Sequence, residues 1–323
     1  MSDDGRGRLA PYQEWLLVLT PVAKGSGRRR RALVTGAAGF TGRYLCAELE
    51  RHGWEVWGTG AIVVTGPARF LQADLLDVAA LQHVVEQVEA DAVFHLAAIA
   101  FVGHGSPADF YEVNLVGTRN LLQALAGLAR PPQSVLLASS ANVYGNATQG
   151  RLPETTPFHP ANDYAVSKAA MEMVARLWQD KLPLVVVRPF NYTGVGQSVD
   201  FLVPKIVDHF KRRTAHMELG NLHVWRDFSD VRDVVRAYRQ LAEACPAGET
   251  VNICSGRTHS LRELLDMAGE ITGHRLEVRV NPAFVRANEV ETLYGDPTRL
   301  AQLLGGWSPR PLAETLSWML ASE

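Results

Sequence analysis

The sequence has few cysteines, no long apolar run and almost no net charge. Its three cysteines, Cys46, Cys245 and Cys254, show no C-x-x-C spacing. This excludes a disulfide framework and a zinc signature, and it predicts a reducing, cytoplasmic setting without a bound metal. No apolar run reaches the about 20 residues that span a bilayer. A formal net charge of -2 argues against broad nucleic-acid binding, which needs clustered cations. We therefore expect neither a membrane nor a nucleic acid as partner.

What is present is an ordinary globular composition. The chain has 323 residues, 47% of them hydrophobic and 20% charged, which suffices for one large domain or two smaller ones. Residues 1–29 are expected, by composition alone, to form a poorly ordered extension. The apolar stretch 15–22 lacks a clear cleavage site, so a secretory signal is not predicted. The arginine run 28–31 is interpreted as a solvated lead-in to the first strand.

Short apolar segments alternate with helical patterns through the first two-thirds of the chain. Such segments are typical of strands buried on both faces, and helices between them predict a parallel, doubly wound sheet. After Pro189 the elements shorten, with strands predicted near 250–253 and 276–280. We predict an α/β fold, with a Rossmann-type NAD(P)-binding domain over 30–189 and a smaller substrate-binding α/β lobe over 190–323, their boundaries interdigitated. The predicted strands of the sheet are residues 32–34, 55–58, 70–72, 92–95, 134–138 and 184–187.

A glycine-rich turn follows the first predicted strand and opens a helix. Gly36 allows a tight turn, Gly39 lets the backbone approach a pyrophosphate, and Gly42 lets the helix pack on the strand. The helix N-terminus then faces the phosphates. This context predicts dinucleotide binding rather than a merely tight turn. The predicted contacts in this turn are Gly36, Ala38, Gly39, Phe40, Thr41 and Gly42.

The end of the second strand bears on the choice between NAD and NADP. No acidic residue stands at Thr59 or Gly60 to bind the ribose 2′-hydroxyl of NAD. This absence allows NADP, yet no arginine stands there to hold its 2′-phosphate. Arg43 or Arg69 could do so, although each is more readily interpreted as a surface residue. Both cofactors stay open, with a slight preference for NADP. Asp74 is interpreted either as a contact of the adenine edge or as a helix N-cap.

Three residues predict hydride chemistry. Tyr164 and Lys168 lie four residues apart, so on a helix they share one face. A free tyrosine has a pKa of about 10, and a neighbouring ammonium together with the nicotinamide cation is expected to lower it. Ser140, just past the fifth strand, can hydrogen-bond a substrate oxygen as charge develops. Asn114 is interpreted as a polar support inside a helix or as a buried structural amide.

Taken together, these motifs resemble the extended short-chain dehydrogenase/reductase family from Arg31 to nearly the end of the chain. The motifs are the glycine turn, His95-Leu96-Ala97-Ala98, Ser140 with Val143-Tyr144-Gly145, Tyr164 to Lys168, and Arg188-Pro189-Phe190-Asn191. The resemblance implies a homodimer, paired through the helices that begin near Val113 and Asp163. The further cofactor contacts that we expect are Thr59, Asp74, Leu75, Leu96, Ala97, Ala98 and Asn114, with Tyr164 and Lys168.

The two residues after Ser140 reduce the number of reactions that the family resemblance allows. At this position the 4,6-dehydratases of this family have a triplet similar to Thr-Asp-Glu or Thr-Ser-Glu. Its Glu is the base that removes the proton lost in elimination. This chain has Ala141 and Asn142 after Ser140, and an amide cannot take up that proton. Dehydration is therefore not expected. Ketoreduction and 4-epimerisation need only Ser140, Tyr164 and Lys168, so both stay open. A non-catalytic dinucleotide sensor is a third alternative, although such proteins typically lack the Tyr/Lys pair.

Segments of the C-terminal lobe resemble the GDP-sugar branch of that family, which holds GDP-mannose 4,6-dehydratases and, more closely, GDP-4-keto-6-deoxymannose reductases. The segments are residues 219–222, 226–231, 286–290 and 295–299. A guanidinium binds phosphate bidentately and a carboxylate accepts from a diol; the local alternative for Arg226 is a pair with Asp227 or Asp230. The expected reaction is NAD(P)H-dependent reduction of the C4 ketone of a GDP-4-keto-6-deoxy sugar. The resemblance places Asn191 and Lys205 near the sugar or phosphates, Asn221 near guanine, Arg226 and Arg286 on the diphosphate, and Glu289 on the ribose.

Overall fold

The computed structural model describes residues 28–62, 69–100, 106–145, 150–282 and 291–322. Most of the predicted N-terminal extension, Arg286 and Glu289 lie outside these residues. The strands are β1 (Arg31–Thr35), β2 (Glu55–Gly60), β3 (Phe70–Gln72), β4 (Ala92–His95), β5 (Ser134–Ala138), β6 (Gly150–Leu152), β7 (Leu184–Pro189), β8 (Asn191–Thr193), β9 (His216–Leu219), β10 (Trp225–Arg226), β11 (Phe228–Asp230), β12 (Thr250–Ile253), β13 (His259–Ser260), β14 (Glu277–Val280) and β15 (Thr292–Gly295).

Helices fill most of the connections. The helix predicted to begin near Val113 belongs to a longer unit that starts at Pro107 and contains a π-helical turn, Glu112–Gly117. The helices are α1 (Phe40–Arg51), α2 (Val78–Val88), α3 (Pro107–Tyr111), α4 (Thr118–Ala126), α5 (Asp163–Arg176), α6 (Leu202–Lys211), α7 (Val231–Ala244), α8 (Leu261–Thr272), α9 (Thr298–Leu304) and α10 (Leu312–Ala321). In the described residues no helix is both long and apolar enough to cross a membrane.

The large sheet has seven strands in the order β3-β2-β1-β4-β5-β7-β12, and all its pairings are parallel. Successive residues of β1 pack on opposite faces, as strand geometry requires. Ala32 and Val34 join the core under α1 and α7, whereas Leu33 joins the core under α2, α4 and α5. The predicted Rossmann-type fold is confirmed. The strand order reverses between β1 and β4, so their carboxyl ends open the crevice where this fold binds ligands.

The strand that the sequence predicts near 250–253 lies in the large sheet, although it follows Pro189. β12 pairs with β7 at the edge of that sheet, Thr250 beside Val186. The chain thus leaves the sheet after β7 and returns to it. A run of residues as short as this does not reveal its partner, because the pairing is set by tertiary contacts.

The C-terminal lobe has a core of its own, built from α6, α8 and α10 around residues such as Ile206, Leu264 and Leu316, each with no exposed surface. The two-stranded pair β9 and β14 flanks it, and β14 confirms the strand predicted near 276–280. The lobe also holds a four-stranded sheet, β13-β10-β15-β6, whose last strand comes from the N-terminal part of the chain. The chain enters this lobe at the carboxyl-terminal end of β7, where β8 follows directly and pairs with β11.

Candidate active site

The glycine turn has the close approaches that its sequence predicts. Gly36 has φ +68°, and a Cβ there would lie 2.8 Å from Ala97 N. A Cβ on Gly42 would lie 2.2 Å from Gly36 O, so helix and turn could not pack together. Gly39 begins α1 without a side-chain cap, and the first turn of α1 contains no acidic residue. Its N–H groups and the positive end of the helix dipole therefore suit an anionic group such as a pyrophosphate.

A buried histidine fixes the opposite wall of the crevice. His95 Nδ1 lies 2.8 Å from Thr35 Oγ1, and His95 Nε2 lies 2.8 Å from Thr118 Oγ1. Burial, with a smaller effect of the Lys168 charge, lowers the pKa of His95 to about 3, so the imidazole is neutral. Ala97 N also donates to Thr35 Oγ1 at 3.1 Å. The predicted contact segment, Leu96 to Ala98, is thus held directly against the glycine turn.

The adenosine end of the crevice fits a dinucleotide as well. Thr59 Oγ1 is buried at the end of β2, and it is one of four buried side-chain atoms in the described ranges without a hydrogen-bond partner. In this fold the end of the second strand lies beside the adenosine ribose. The glycine cradle and the uncapped N-terminus of α1 fit the phosphates of a dinucleotide.

The two arginines considered for a 2′-phosphate point elsewhere. Arg69 precedes β3, lies 3.8 Å from the Glu55 carboxylate and covers the Trp57 ring at 5.8 Å. It therefore faces the amino-terminal edge of the sheet, away from the crevice. Arg43 donates to Gly196 O at 3.4 Å, beside the pyrophosphate turn rather than the adenosine end.

Asp74 does not cap a helix, so that alternative is wrong. Its carboxylate accepts from Leu76 N at 2.9 Å in a local turn, and the N-cap of α2 is Asp77, which accepts from Ala80 N. The helix is capped at Asp77 and not at Asp74, because residues 74–76 form the local turn and the backbone becomes helical only after it. Its neighbour Leu75 packs against Gly117, where a Cβ would come within 2.8 Å of the Leu75 side chain.

Ser140, Tyr164 and Lys168 are brought together as predicted. Asn162 caps α5 by accepting from Ala165 N at 2.9 Å, and this fixes the first turn that carries Tyr164. The Ser140 hydroxyl lies close enough to the Tyr164 phenol to favour its phenolate form and lower its pKa. Lys168, one turn further along α5, is 3% exposed.

Burial raises the pKa of Tyr164 to about 12, and the neighbouring Ser140 hydroxyl offsets only part of that shift, because a buried phenolate loses its hydration. The predicted lowering includes the charge of a nicotinamide cation, so it stays a prediction for the protein with its cofactor bound. The Lys168 ammonium donates to Ala138 O at 2.8 Å, and burial lowers its own pKa to about 8. Tyr164 is consequently a protonated phenol at neutral pH.

Asn114 is a buried structural amide, the second of the two alternatives. Its Oδ1 accepts from Ile99 N at 2.9 Å, and its Nδ2 donates to Ile99 O and to Ser167 Oγ, each at 3.0 Å. The amide therefore ties the segment after β4 to α5, the helix that carries Tyr164 and Lys168.

The predicted substrate residues divide between two parts of the lobe. Asn191 Nδ2 donates to Asp227 O at 3.1 Å, which places it beside Arg226. Arg226 Nη1 donates to the carbonyl oxygens of Trp225 and Glu291, at 2.8 and 3.2 Å. Around β9, Lys205 Nζ donates to Glu218 O at 3.2 Å, and the Asn221 side chain accepts from His223 N at 2.9 Å.

The two carboxylates suggested as local partners of Arg226 bond other groups. Asp227 accepts from Ser255 N and Gly256 N, at 2.9 and 2.8 Å. Asp230 accepts from Arg232 Nη2 at 2.6 Å. The remaining two predicted residues, Arg286 and Glu289, are outside the described ranges.

Sequence reasoning missed one aromatic residue of the site. Tyr192 OH lies 2.8 Å from Thr41 Oγ1 in the first turn of α1, and its ring stacks on Phe40 with centroids 6.2 Å apart. Tyr44 OH donates to Val195 O at 2.7 Å nearby. These contacts join the glycine-turn helix to the lobe. The signal was the position of Tyr192, directly after the Arg-Pro-Phe-Asn motif.

Comparisons with known proteins agree with this geometry. A family model described as GDP-mannose 4,6 dehydratase matches residues 33–319. The chain is 36% identical to GDP-6-deoxy-D-talose 4-dehydrogenase of Aggregatibacter actinomycetemcomitans, over 85% of this chain and 91% of that protein. It is 35% identical to GDP-6-deoxy-D-mannose reductase of Pseudomonas aeruginosa, over 87% of this chain and 92% of that protein.

Solved structures show the same fold. A Burkholderia cenocepacia protein, described provisionally as an epimerase, has a TM-score of 0.86 and 53% identity, covering 91% of this chain and 98% of its own. The Pseudomonas aeruginosa protein RMD, complexed with NADPH, has a TM-score of 0.79 and 32% identity, covering 91% and 97%. The protein is thus an NAD(P)-dependent oxidoreductase of the extended short-chain dehydrogenases/reductases, and it belongs to the family that the GDP-mannose 4,6 dehydratase model describes.

Proposed function

We propose that this protein reduces the C4 ketone of a GDP-4-keto-6-deoxy-hexose with NAD(P)H, giving a GDP-6-deoxyhexose of the rhamnose type. The observation that carries the proposal is the buried constellation of Ser140, Tyr164 and Lys168 beside the glycine turn. Asn142 stands where the family's dehydratases have a carboxylate, so elimination lacks its base. The reductase and 4-dehydrogenase relatives, at 35% and 36% identity, support redox chemistry on a GDP-sugar.

The proposed mechanism assigns one task to each residue. A bound reduced nicotinamide supplies the hydride. Ser140 Oγ accepts from Asn142 N at 3.1 Å, which leaves its own proton for the carbonyl oxygen of the substrate. Tyr164 donates a proton to that oxygen as negative charge develops on it. Burial raises its pKa to about 12, so Tyr164 carries at neutral pH the proton that this step needs. Lys168 holds the nicotinamide ribose next to Tyr164.

The lobe is proposed to bind the GDP moiety. The backbone carbonyls that Arg226 contacts fix its guanidinium at the edge of β10, next to Asn191 on β8, and a guanidinium there matches a diphosphate in charge and shape. The proposed contacts are Asn191 and Lys205 for the sugar or phosphates, Asn221 for guanine, Arg226 and Arg286 for the diphosphate, and Glu289 for the ribose.

A 4-epimerase is the second candidate. The Burkholderia cenocepacia structure that favours it shares 53% identity with this chain. An epimerase uses the same three catalytic residues, but it retains its cofactor and regenerates it within each turnover. It therefore shows no net consumption of NAD(P)H.

NADP(H) is proposed as the preferred cofactor. β2 ends at Thr59 and Gly60 without a carboxylate, so nothing there repels a 2′-phosphate. The neighbour that is complexed with NADPH shares 32% identity. A site that reduces a sugar nucleotide with NADPH, together with three free cysteines, also suits the cytoplasm.

A homodimer is proposed through the catalytic helix α5. Its outer face exposes an apolar stripe with helical spacing, in which Val166, Met173 and Leu177 are 37%, 55% and 78% exposed. On the neighbouring π-helical turn, Val116 is 42% exposed. A second copy of the same surface can cover this stripe, because a two-fold interface pairs a patch with itself.

An absorbance assay separates the two candidate reactions. GDP-4-keto-6-deoxymannose is added to the purified protein with NADPH or NADH, and oxidation is followed at the nicotinamide band. We expect stoichiometric oxidation, faster at low concentrations of NADPH than of NADH. No oxidation of either cofactor, together with interconversion of saturated GDP-sugars, would support the epimerase instead.

A further inference from the structure

A buried ion pair lies behind the catalytic residues. The Glu172 carboxylate accepts from Arg188 Nε at 2.9 Å and from Nη2 at 2.7 Å, and both side chains are 3% exposed. Glu172 follows Lys168 by one turn of α5, so the two side chains share a face. Burying such a pair is costly, and apolar replacements are often no less stable. A contribution to stability alone therefore does not explain why this ion pair is buried behind the candidate active site.

The carboxylate also reaches the strand end that carries Ser140. Ser139 Oγ donates to Glu172 Oε1 at 2.5 Å, and Lys168 Nζ donates to Ala138 O at 2.8 Å. Ser139 directly precedes Ser140 in the chain. Holding Ser139 against Glu172 therefore fixes the backbone from which the Ser140 side chain projects.

The Arg188 guanidinium is fixed by further hydrogen bonds, and it therefore also fixes the Glu172 carboxylate that accepts from it. Arg188 Nη1 donates to Tyr144 OH at 2.9 Å and to Glu154 O at 3.0 Å. Tyr144 OH donates in turn to Asn252 Oδ1 at 2.6 Å. This series of bonds links β7 and β12 to one carboxylate on α5.

We infer that Glu172 is a positioning residue of the active site. Through Ser139 it orients Ser140, and its negative charge, one turn behind Lys168, keeps that ammonium protonated in a buried setting. The inference rests on the proposed roles of Ser140, Tyr164 and Lys168.

The charges around Lys168 give the sign of the expected effect. Burial lowers the pKa of Lys168 to about 8, and Glu172 opposes that lowering. His95 faces Lys168 from β4 but is neutral, and Tyr164 is a protonated phenol. Arg188 is the counter-ion of Glu172. A neutral side chain in place of Glu172 would let Lys168 lose its proton at lower pH.

Three variants test the role. Glu172→Gln keeps the shape and removes the charge, whereas Glu172→Asp keeps the charge. The matched control is Glu48→Gln, which breaks another buried pair, Glu48 with Arg239 at 3.0 Å, between α1 and α7. We expect Glu172→Gln to lower kcat roughly tenfold with little change in KM, and to move the alkaline limb of kcat down by about half a pH unit. Glu172→Asp should restore that limb, and Glu48→Gln should lower only the melting temperature.

NADPH binding, measured by nicotinamide fluorescence against pH, gives a readout that needs no sugar. Glu172→Gln should weaken it at alkaline pH, where wild type still binds. If the wild type binds NADPH in this way but does not reduce the sugar, the proposed function fails while the role of Glu172 stands.

Equal losses of kcat in Glu172→Gln and Glu48→Gln, with no shift of the alkaline limb of kcat, would overturn the inference. Should Glu172→Gln not fold, Ser139→Ala serves instead: it should lower kcat at an unchanged melting temperature, and full activity would overturn the inference.

Discussion

At the scale of the residue, one buried phenol is the proposed proton donor. Tyr164 is 8% exposed, and burial raises its pKa to about 12 although the neighbouring Ser140 hydroxyl acts in the opposite direction. A phenol in that state keeps its proton at neutral pH and can donate it to a strongly basic oxygen, such as an alkoxide that forms during hydride transfer. This is the role that the proposed reduction assigns to Tyr164.

Replacing this phenol should stop turnover and leave binding intact. In Tyr164→Phe we expect kcat to fall by about 10²–10⁴-fold, the usual contribution of a positioned acid, with the dissociation constant of NADPH changed less than about threefold. Stopped-flow turnover and fluorescence titration measure the two quantities. Tyr111→Phe, which removes an exposed hydroxyl bonded to Asp163 at 2.7 Å, is the matched control and should keep wild-type kcat. Turnover of Tyr164→Phe within a few-fold of wild type would show that the proton comes from elsewhere.

At the scale of the element, α5 serves two purposes. Its inner face carries Tyr164, Lys168 and Glu172 into the site, and its outer face carries the exposed stripe of Met173 and Leu177. A helix with apolar residues on both faces needs a cover for the outer one. The catalytic geometry and the proposed dimer are thus connected through a single element.

Charged residues in the stripe should separate the subunits. The double variant Met173→Glu/Leu177→Glu places four like charges in a two-fold interface and removes apolar burial of about 1.5–3 kcal/mol per side chain. We expect sedimentation velocity to show a dimer for the wild type and a monomer for this variant. Ile271→Glu, on α8 at 40% exposure, is the control and should remain dimeric. A dimer that persists in the double variant would place the interface on another surface.

At the scale of the whole molecule, the candidate site lies between the large sheet and the C-terminal lobe. The chain leaves the sheet after β7, contributes to the lobe, and returns to the sheet at β12. The parts that could be predicted are local: the glycine turn, the four-residue spacing of Tyr164 and Lys168, and the buried strands each lie within one short segment. The parts that could not are long-range. β12 joins the sheet across the lobe, and Tyr144 meets Asn252 over a separation of 108 residues. The burial of Tyr164, which raises the pKa of its phenol, could not be predicted either, because burial is a property of the whole fold.

Transfer of deuterium from labelled cofactor tests the central claim most directly. The protein is incubated with GDP-4-keto-6-deoxymannose and NADPH deuterated at both C4 positions of the nicotinamide, and the product is analysed by NMR. The proposed reduction predicts one deuterium at C4 of a GDP-6-deoxyhexose for each NADPH oxidised, and the coupling constants give the configuration at C4. An unlabelled GDP-sugar epimerised at C4, with the NADPH unconsumed, would contradict it.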